Sequence, residues 1–276
     1  MKITLSGTRG SVGRAGPETM GYGGDTSCVL VTADDGSLLI LDAGSGLARL
    51  NTAIDRAPAR IDLLLTHLHM DHIQGLGFFK PLFDPEVEVH LWGPVSSTMN
   101  LTERLARYLS PPLFPVRLRD LPSVHPIDVR PGKFRIGPFD VTADLVIHPG
   151  PTLGYRIEEG TRSLAYLPDH EPALGSSNFP KAPEWTSGHD LCEDVNLLVH
   201  DFQYTDEEYQ ARQGWGHSSI THTLAFAGQV GTERLVTFHH DPEHDDTTLD
   251  RLHEDAISAN NTFEVVRGRA GLTLDV

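Results

Sequence analysis

An apolar run, Ile61-Asp62-Leu63-Leu64-Leu65, passes directly into Thr66-His67-Leu68-His69-Met70-Asp71-His72. Three imidazoles and a carboxylate packed into one short segment are metal-ligand chemistry, and their place straight after a strand-like run restricts the folds open to the chain. In an extended or turning segment His67 and His69 point to one side because their spacing is two, while Asp71 and His72 turn back around the corner of the loop. One loop can then serve two adjacent ions.

The same arrangement recurs along the chain. Strand-like runs end at or just before Asp42, His67, His148, Asp169 and His239. The C-terminal ends of strands are where α/β proteins collect functional groups, and a core explanation does not place charge there repeatedly. Periodicity predicts strands over 2–6, 27–33, 37–41, 61–65, 87–92, 139–147, 153–158, 162–167, 196–199, 235–238 and 262–267. It predicts helices over 45–54 with Ser45 as cap, 74–82, 97–109, 205–212, from Gly216-His217-Ser218-Ser219 to about Val230, and 247–260. Helices falling between groups of strands give an α/β sandwich with the sheets inside. The Pro-rich stretch from Ser110 to Pro131 reads as irregular, either a surface lid or a structural connection.

A chain of 276 residues can bury a large core, and with no internal repeat or linker-like shift it reads as one domain over 1–276. No run is long and apolar enough to span a membrane, and Met1-Lys2-Ile3-Thr4-Leu5 enters a strand pattern without a signal-peptide core, so a cytoplasmic protein is expected. Cys28 and Cys192 are the only cysteines, too few for a thiolate cluster, so any metal must be held by His and carboxylate. The formal charge is −16, and two divalent cations leave it acidic. That charge, with no Lys/Arg cluster in sequence, favours small substrates and disfavours a long nucleic acid; a homodimer is the assembly allowed for.

With these residues in place, the chain resembles the metallo-β-lactamase fold superfamily, whose signature is His-x-His-x-Asp-His followed by a later His, a bridging Asp and a last His. The resemblance runs nearly end to end and implies the four-layer αββα sandwich. Its details lie closest to the phosphodiesterase branch that includes tRNase Z and the phosphoribosyl cyclic phosphodiesterase of phosphonate metabolism. Gly7-Thr8-Arg9-Gly10-Ser11 resembles the opening glycine loop of that branch. His200-Asp201 resembles its His-Glu pair, and Gly216-His217-Ser218-Ser219 its Gly-His-Ser-Thr segment.

The resemblance implies two divalent metal ions, with zinc first and manganese or iron as alternatives. His67, His69 and His148 would hold one, Asp71, His72 and His239 the other, and Asp169 would bridge them. A shared water, acidified by both cations, would attack phosphorus. His217 would protonate the leaving alkoxide and Asp201 orient it, so that these two and Asp71 form the catalytic set. Asp42 fits a partner for the free N–H of a ligand histidine.

For substrate contact the sequence offers Thr8, Arg9 and Ser11, whose loop with its cationic Arg9 can hold a phosphate or can be structural, and His170, which can touch substrate or merely the loop, as can Glu171. Of the adjacent His239 and His240 only one can face the metals, and His239 is the choice. His90, His125, His189, His222, His244 and His253 lack a ligand pattern. The leading expectation is a phosphodiesterase for a small, perhaps cyclic, phosphodiester. Acyl hydrolysis of a lactone, thioester or β-lactam on the same core is the alternative.

Overall fold

The computed structural model describes residues 1–54, 58–176 and 178–276. Strands β1 (Lys2–Gly7), β2 (Cys28–Thr32) and β3 (Leu38–Leu41) form an antiparallel meander. Helix α1 (Leu47–Ala53) precedes β4 (Arg60–Leu64), and after the one-turn α2 (Met70–Ile73) come β5 (Glu88–Pro94), α3 (Leu101–Tyr108) and β6 (Val124–Val129). Strands β3 to β6 are parallel neighbours.

The second half repeats this plan. Strands β7 (Gly132–Ile136), β8 (Phe139–Leu145), β9 (Leu153–Glu159) and β10 (Arg162–Leu167) are antiparallel. The chain then runs through α4 (His189–Cys192), β11 (Leu197–Asp201), α5 (Asp206–Gln210), α6 (Ile220–Val230), β12 (Arg234–Phe238), α7 (Asp246–Ala259) and β13 (Glu264–Val266). Strands β10 to β13 are parallel, and β14 (Thr273–Asp275) crosses back to pair with β1.

Among the described residues two sheets of seven strands result, ordered β14-β1-β2-β3-β4-β5-β6 and β13-β12-β11-β10-β9-β8-β7. Their facing sides share one buried cluster, in which Val29, Leu39 and Leu64 from the first sheet meet Tyr155, Leu164 and Val199 from the second. The outer face of the first sheet packs Ile40, Leu63 and Leu91 under Leu47, Leu50 and Leu105 of α1 and α3. That of the second packs Ala165 and Leu198 under Leu191 of α4 and Phe226 of α6. The layers are therefore α, β, β, α, as expected, with each buried Leu or Phe contributing roughly 1.5–3 kcal/mol.

Several elements depart from the sequence pattern. The helix expected over 74–82 is two 3-10 turns, Leu76–Phe78 and Lys80–Phe83, because Gly75, Gly77 and Pro81 are poor helix formers and Pro81 lacks an N–H. Ser45 does not cap α1. Its hydroxyl donates to Asp25 and accepts from the Thr26 N–H, and the helix starts after Gly46 without a side-chain cap.

The 110–131 stretch is not a free lid. Phe114, Leu118 and Leu121 are anchored in the helix-side core, and Val124–Val129 is the edge strand of the first sheet. Pro126 concealed it, since a proline is compatible with an edge strand but not with a central one. Strands β7 and β14 were likewise missed, being short and half exposed. No helix among the described residues is long and apolar enough to cross a membrane.

Candidate metal centre

All seven positions of the signature converge at the C-terminal ends of the two sets of strands. His67 and His69 follow β4, and Asp71 and His72 sit in the first turn of α2. His148 follows β8, Asp169 follows β10 and His239 follows β12. Donor atoms of His67, His69 and His148 lie within 4.8 Å of one another, as do those of Asp71, His72, Asp169 and His239. Asp169 faces both groups. Its Oδ1 is 3.0 Å from His72 Nε2 and 3.2 Å from His239 Nε2, while its Oδ2 is 3.7 Å from His67 Nε2 and 3.8 Å from His148 Nε2.

The backs of the rings are held. His72 Nδ1 donates to Asp42 Oδ2 at 2.8 Å, His148 Nδ1 to the Gly216 carbonyl at 2.9 Å, and His239 Nδ1 to Gln203 Oε1 at 2.8 Å. His67 Nδ1 lies 3.1 Å from the Thr66 hydroxyl, which itself donates to Asp42. These partners engage each Nδ1 and turn each Nε2 inward, as the atom through which a cation would be held. Asp42 also accepts from the Thr66 N–H and from Tyr166 Oη at 3.0 Å. It is fully buried and sits at φ 57°, the left-handed region.

His239 is the residue of its pair that joins the cluster. Its own φ of 56° turns it out of strand alternation, while His240 Nε2 donates to the Gly268 carbonyl in a separate buried pocket. Gly10 makes room for the His239 ring, since a Cβ there would come within 2.4 Å of Nδ1. Gly216, at φ 88°, does the same for His148, whose Nδ1 would meet a Cβ at 2.3 Å.

These residues fit divalent cations. Buried His67 Nε2 and Asp169 Oδ1 have no hydrogen-bond partner, and His148 Nε2 faces His69 Nδ1 at 3.1 Å. Buried imidazole and carboxylate lone pairs left without a donor are costly, and a divalent cation among them satisfies them. Burial holds His67 and His69 below their ordinary pKa and pushes His148 down to about 4, which keeps these rings in the neutral, ligating form. In the other group burial opposes charge, yet Asp169, Asp71 and Asp42 together hold His72 well above its ordinary value. Burial equally opposes ionisation of Asp169, but His239, His72 and His67 keep it well below the usual carboxylate range. Negative charge concentrated here calls for a positive counter-charge, which a cation supplies.

His217 stands beside this cluster. Its Nδ1 lies 2.8 Å from Asp201 Oδ2, and its ring stacks on His239 with centroids 4.9 Å apart. Burial pulls its pKa down, but Asp201 and then Asp169 outweigh it and raise the value above the ordinary one. Its loop is pinned by Glu171, whose carboxylate accepts from the Gly214 and Gly216 N–H groups and from Tyr209 Oη.

The residues proposed for substrate contact divide. Ser11 is exposed and its N–H donates to Asp71 Oδ2 at 2.7 Å, which places it at the site. Arg9 is completely buried and spends its guanidinium on the carbonyls of Gly23, Asp241 and His244, so it clamps loops together and presents no surface to an anion. Thr8 is buried and donates to the Tyr22 carbonyl. His170 is also sealed, its Nδ1 2.9 Å from His200 Nε2.

Sequence reasoning missed Gln203, the Thr66 hydroxyl and the Tyr166 phenol, for which no motif gives a signal. It also missed a cavity of about 350 Å³ beside His67 and His69, walled by Met70, Arg104, Arg107, Tyr108 and Leu113.

Residues 38–240 match the family model described as the beta-lactamase superfamily domain. The ribonuclease Z of Haloarcula marismortui is 22% identical, over 87% of this chain and 86% of that protein. That of Myxococcus xanthus is 25% identical, over 75% and 79%. Among solved structures, Zn2+-bound PqqB from Methylobacterium extorquens superposes with a TM-score of 0.73 at 17% identity, covering both chains completely.

The ribonuclease relatives correct the expectation that a long nucleic acid is disfavoured. Net charge governs only the far field, which salt screens over about 8–10 Å. Beside the ligand cluster the cavity is instead lined by basic residues, Arg104 and Arg107. The chain belongs to the beta-lactamase superfamily and has the metallo-β-lactamase fold.

Proposed function

We propose that the chain uses two divalent metal ions, zinc first among them, to hydrolyse a phosphodiester with one nucleotide-sized flank. His67, His69 and His148 would hold one ion, Asp71, His72 and His239 the other, with Asp169 facing both groups. When bound, the cations supply Lewis acidity toward a phosphoryl oxygen and acidify a water. The residues of the chain do the rest. His217 commits Nδ1 to Asp201, which leaves Nε2 to give a proton to the departing alkoxide, and Asp201 stabilises the charged ring. That pairing is the observation that carries the proposal, because a poor alkoxide leaving group needs an acid and an acyl substrate needs one less. The ribonuclease Z relatives support it independently.

The cavity beside His67 and His69 receives the flank. Its volume of about 350 Å³ lies toward the lower end of ligand-site volumes, roughly 300–1,000 Å³. Leu68, Met70, Ile73 and Leu113 give it an apolar floor for a base or sugar face. Arg104 is engaged with Asp128 and with the carbonyls of Pro94 and Asn100. Arg107 has no ion-pair or side-chain hydrogen-bond partner among the described residues, so it is the cation available to a second phosphate. A small cyclic diester needs only this cavity, whereas a polynucleotide would add contacts outside it.

The test is turnover by metal-reloaded protein of bis-p-nitrophenyl phosphate, cyclic nucleotides, ribose cyclic phosphate, a short RNA, a lactone and nitrocefin. Diester hydrolysis well above the acyl substrates is expected. Acyl hydrolysis alone would overturn the proposal.

A further inference from the structure

A second group of metal-binding side chains lies at the opposite end of the first sheet. Glu88 and His90 are on β5 and His125 is on β6, all near the N-terminal ends of their strands, whereas the catalytic ligands follow the C-terminal end of β4. The strands run parallel with His90 directly beside His125. Alternation then places Glu88, His90 and His125 on one face. Donor atoms of the three lie within 4.8 Å of one another, the two imidazole centroids are 4.9 Å apart, and His90 Nε2 is 3.4 Å from Glu88 Oε2.

The neighbours leave this group available. Arg60 is the register partner of Glu88 and would be its natural ion pair. Instead Arg60 grips Asp62 with two hydrogen bonds of 2.8 and 2.7 Å, and Asp62 also accepts from Trp92 Nε1. The Glu88 carboxylate is left to turn toward the histidines. Paired strand backbones fix the spacing of the three residues, so only side-chain rotamers remain to be ordered on binding.

We propose that Glu88, His90 and His125 form a further cation site, taking a borderline divalent ion such as Zn2+ through two imidazoles and one carboxylate. The set matches the donor chemistry zinc prefers, with a fourth position left to water. Its effect is to clamp β6, an edge strand that contains Pro126, onto β5. Metal bound there acts on stability and leaves the hydrolytic chemistry alone.

The experiment counts zinc bound per chain by elemental analysis after equilibrium dialysis at fixed free zinc, for the wild-type protein, His125→Gln and His125→Cys. His125 is exposed, so neither change disturbs a core. His125→Gln should hold one equivalent less than wild type, whatever the total, and His125→Cys, which restores a ligand, should recover it. Zinc should raise the melting temperature of catalytically loaded wild type further than that of His125→Gln, with both hydrolysing bis-p-nitrophenyl phosphate equally. Equal zinc counts in wild type and His125→Gln would overturn the site. A deficit that cysteine does not restore would equally overturn it, by showing the histidine to be structural.

Discussion

His217 Nδ1 and Asp201 Oδ2 meet at 2.8 Å, at the end of β11 and the approach to α6. The pair lies outside the seven-ligand set, so His217→Ala should keep its metal. If His217 protonates the leaving oxygen, that variant should lose roughly a hundredfold or more on an alkyl phosphodiester, the usual scale of general acid catalysis. Loss on a p-nitrophenyl ester should be much smaller, because nitrophenolate departs without a proton. Equal losses on both at full metal occupancy would assign His217 to positioning.

Asp169→Ala should abolish turnover and still give a folded chain, because the core is built from apolar strands and not from the ligand cluster. Metal analysis and a thermal melt of the same sample check both halves. A melt without a cooperative transition would show the ions to be structural.

Asp42 supports His72 without itself joining the ligand cluster. Asp42→Asn keeps the shape but only one acceptor oxygen, which cannot serve both the Thr66 N–H and the His72 N–H, and should weaken metal affinity by roughly 10–100-fold. Competition against a chromophoric chelator reads this directly. Unchanged affinity would show that His72 is oriented by packing alone.

Arg107 is exposed on α3 and can be removed without disturbing the core. Arg107→Ala should raise KM about tenfold or more for a diester with a second phosphate, the scale of one charge-assisted hydrogen bond. Its kcat should be nearly unchanged, as should the kinetics on bis-p-nitrophenyl phosphate. A fall in kcat with constant KM would move Arg107 from the flank to the reacting group.

Burial lowers His253 to about 4, although its Nδ1 donates to the Leu249 carbonyl. Unfolded, the ring titrates near 6.5, so its contribution is intact above that pH and is lost as pH falls toward the folded value. By pH 5 the loss is about 2 kcal/mol. Denaturant unfolding at pH 7.5 and pH 5 should show a smaller acid penalty in His253→Gln than in wild type. An identical penalty would mean that the ring is already charged in the folded chain.

The signature residues were legible because short spacings and strand ends are local properties. His67 to His72 are neighbours in sequence, and His148, Asp169 and His239 each announce themselves by following an apolar run. What escaped depends on strands meeting in space. Gln203 reaches His239 only through the pairing of β11 with β12, and His90 meets His125 only because β5 lies beside β6. The choice between an anion-binding and a structural Arg9 was open for the same reason, since the carbonyls that absorb it come from Gly23, Asp241 and His244. Net charge misled differently, being an average that says nothing of one cavity.

Of the seven donors, His67, His69, Asp71 and His72 are delivered by the first sheet, and His148, Asp169 and His239 by the second. An ion bound at this junction would be held by both halves of the sandwich at once and would act as a rivet through them. Whatever free energy the ions release on binding is therefore also free energy of holding the two halves together. Chelation should loosen the seam between the sheets before it loosens either sheet, and amide exchange along the facing strands would record where the seam opens.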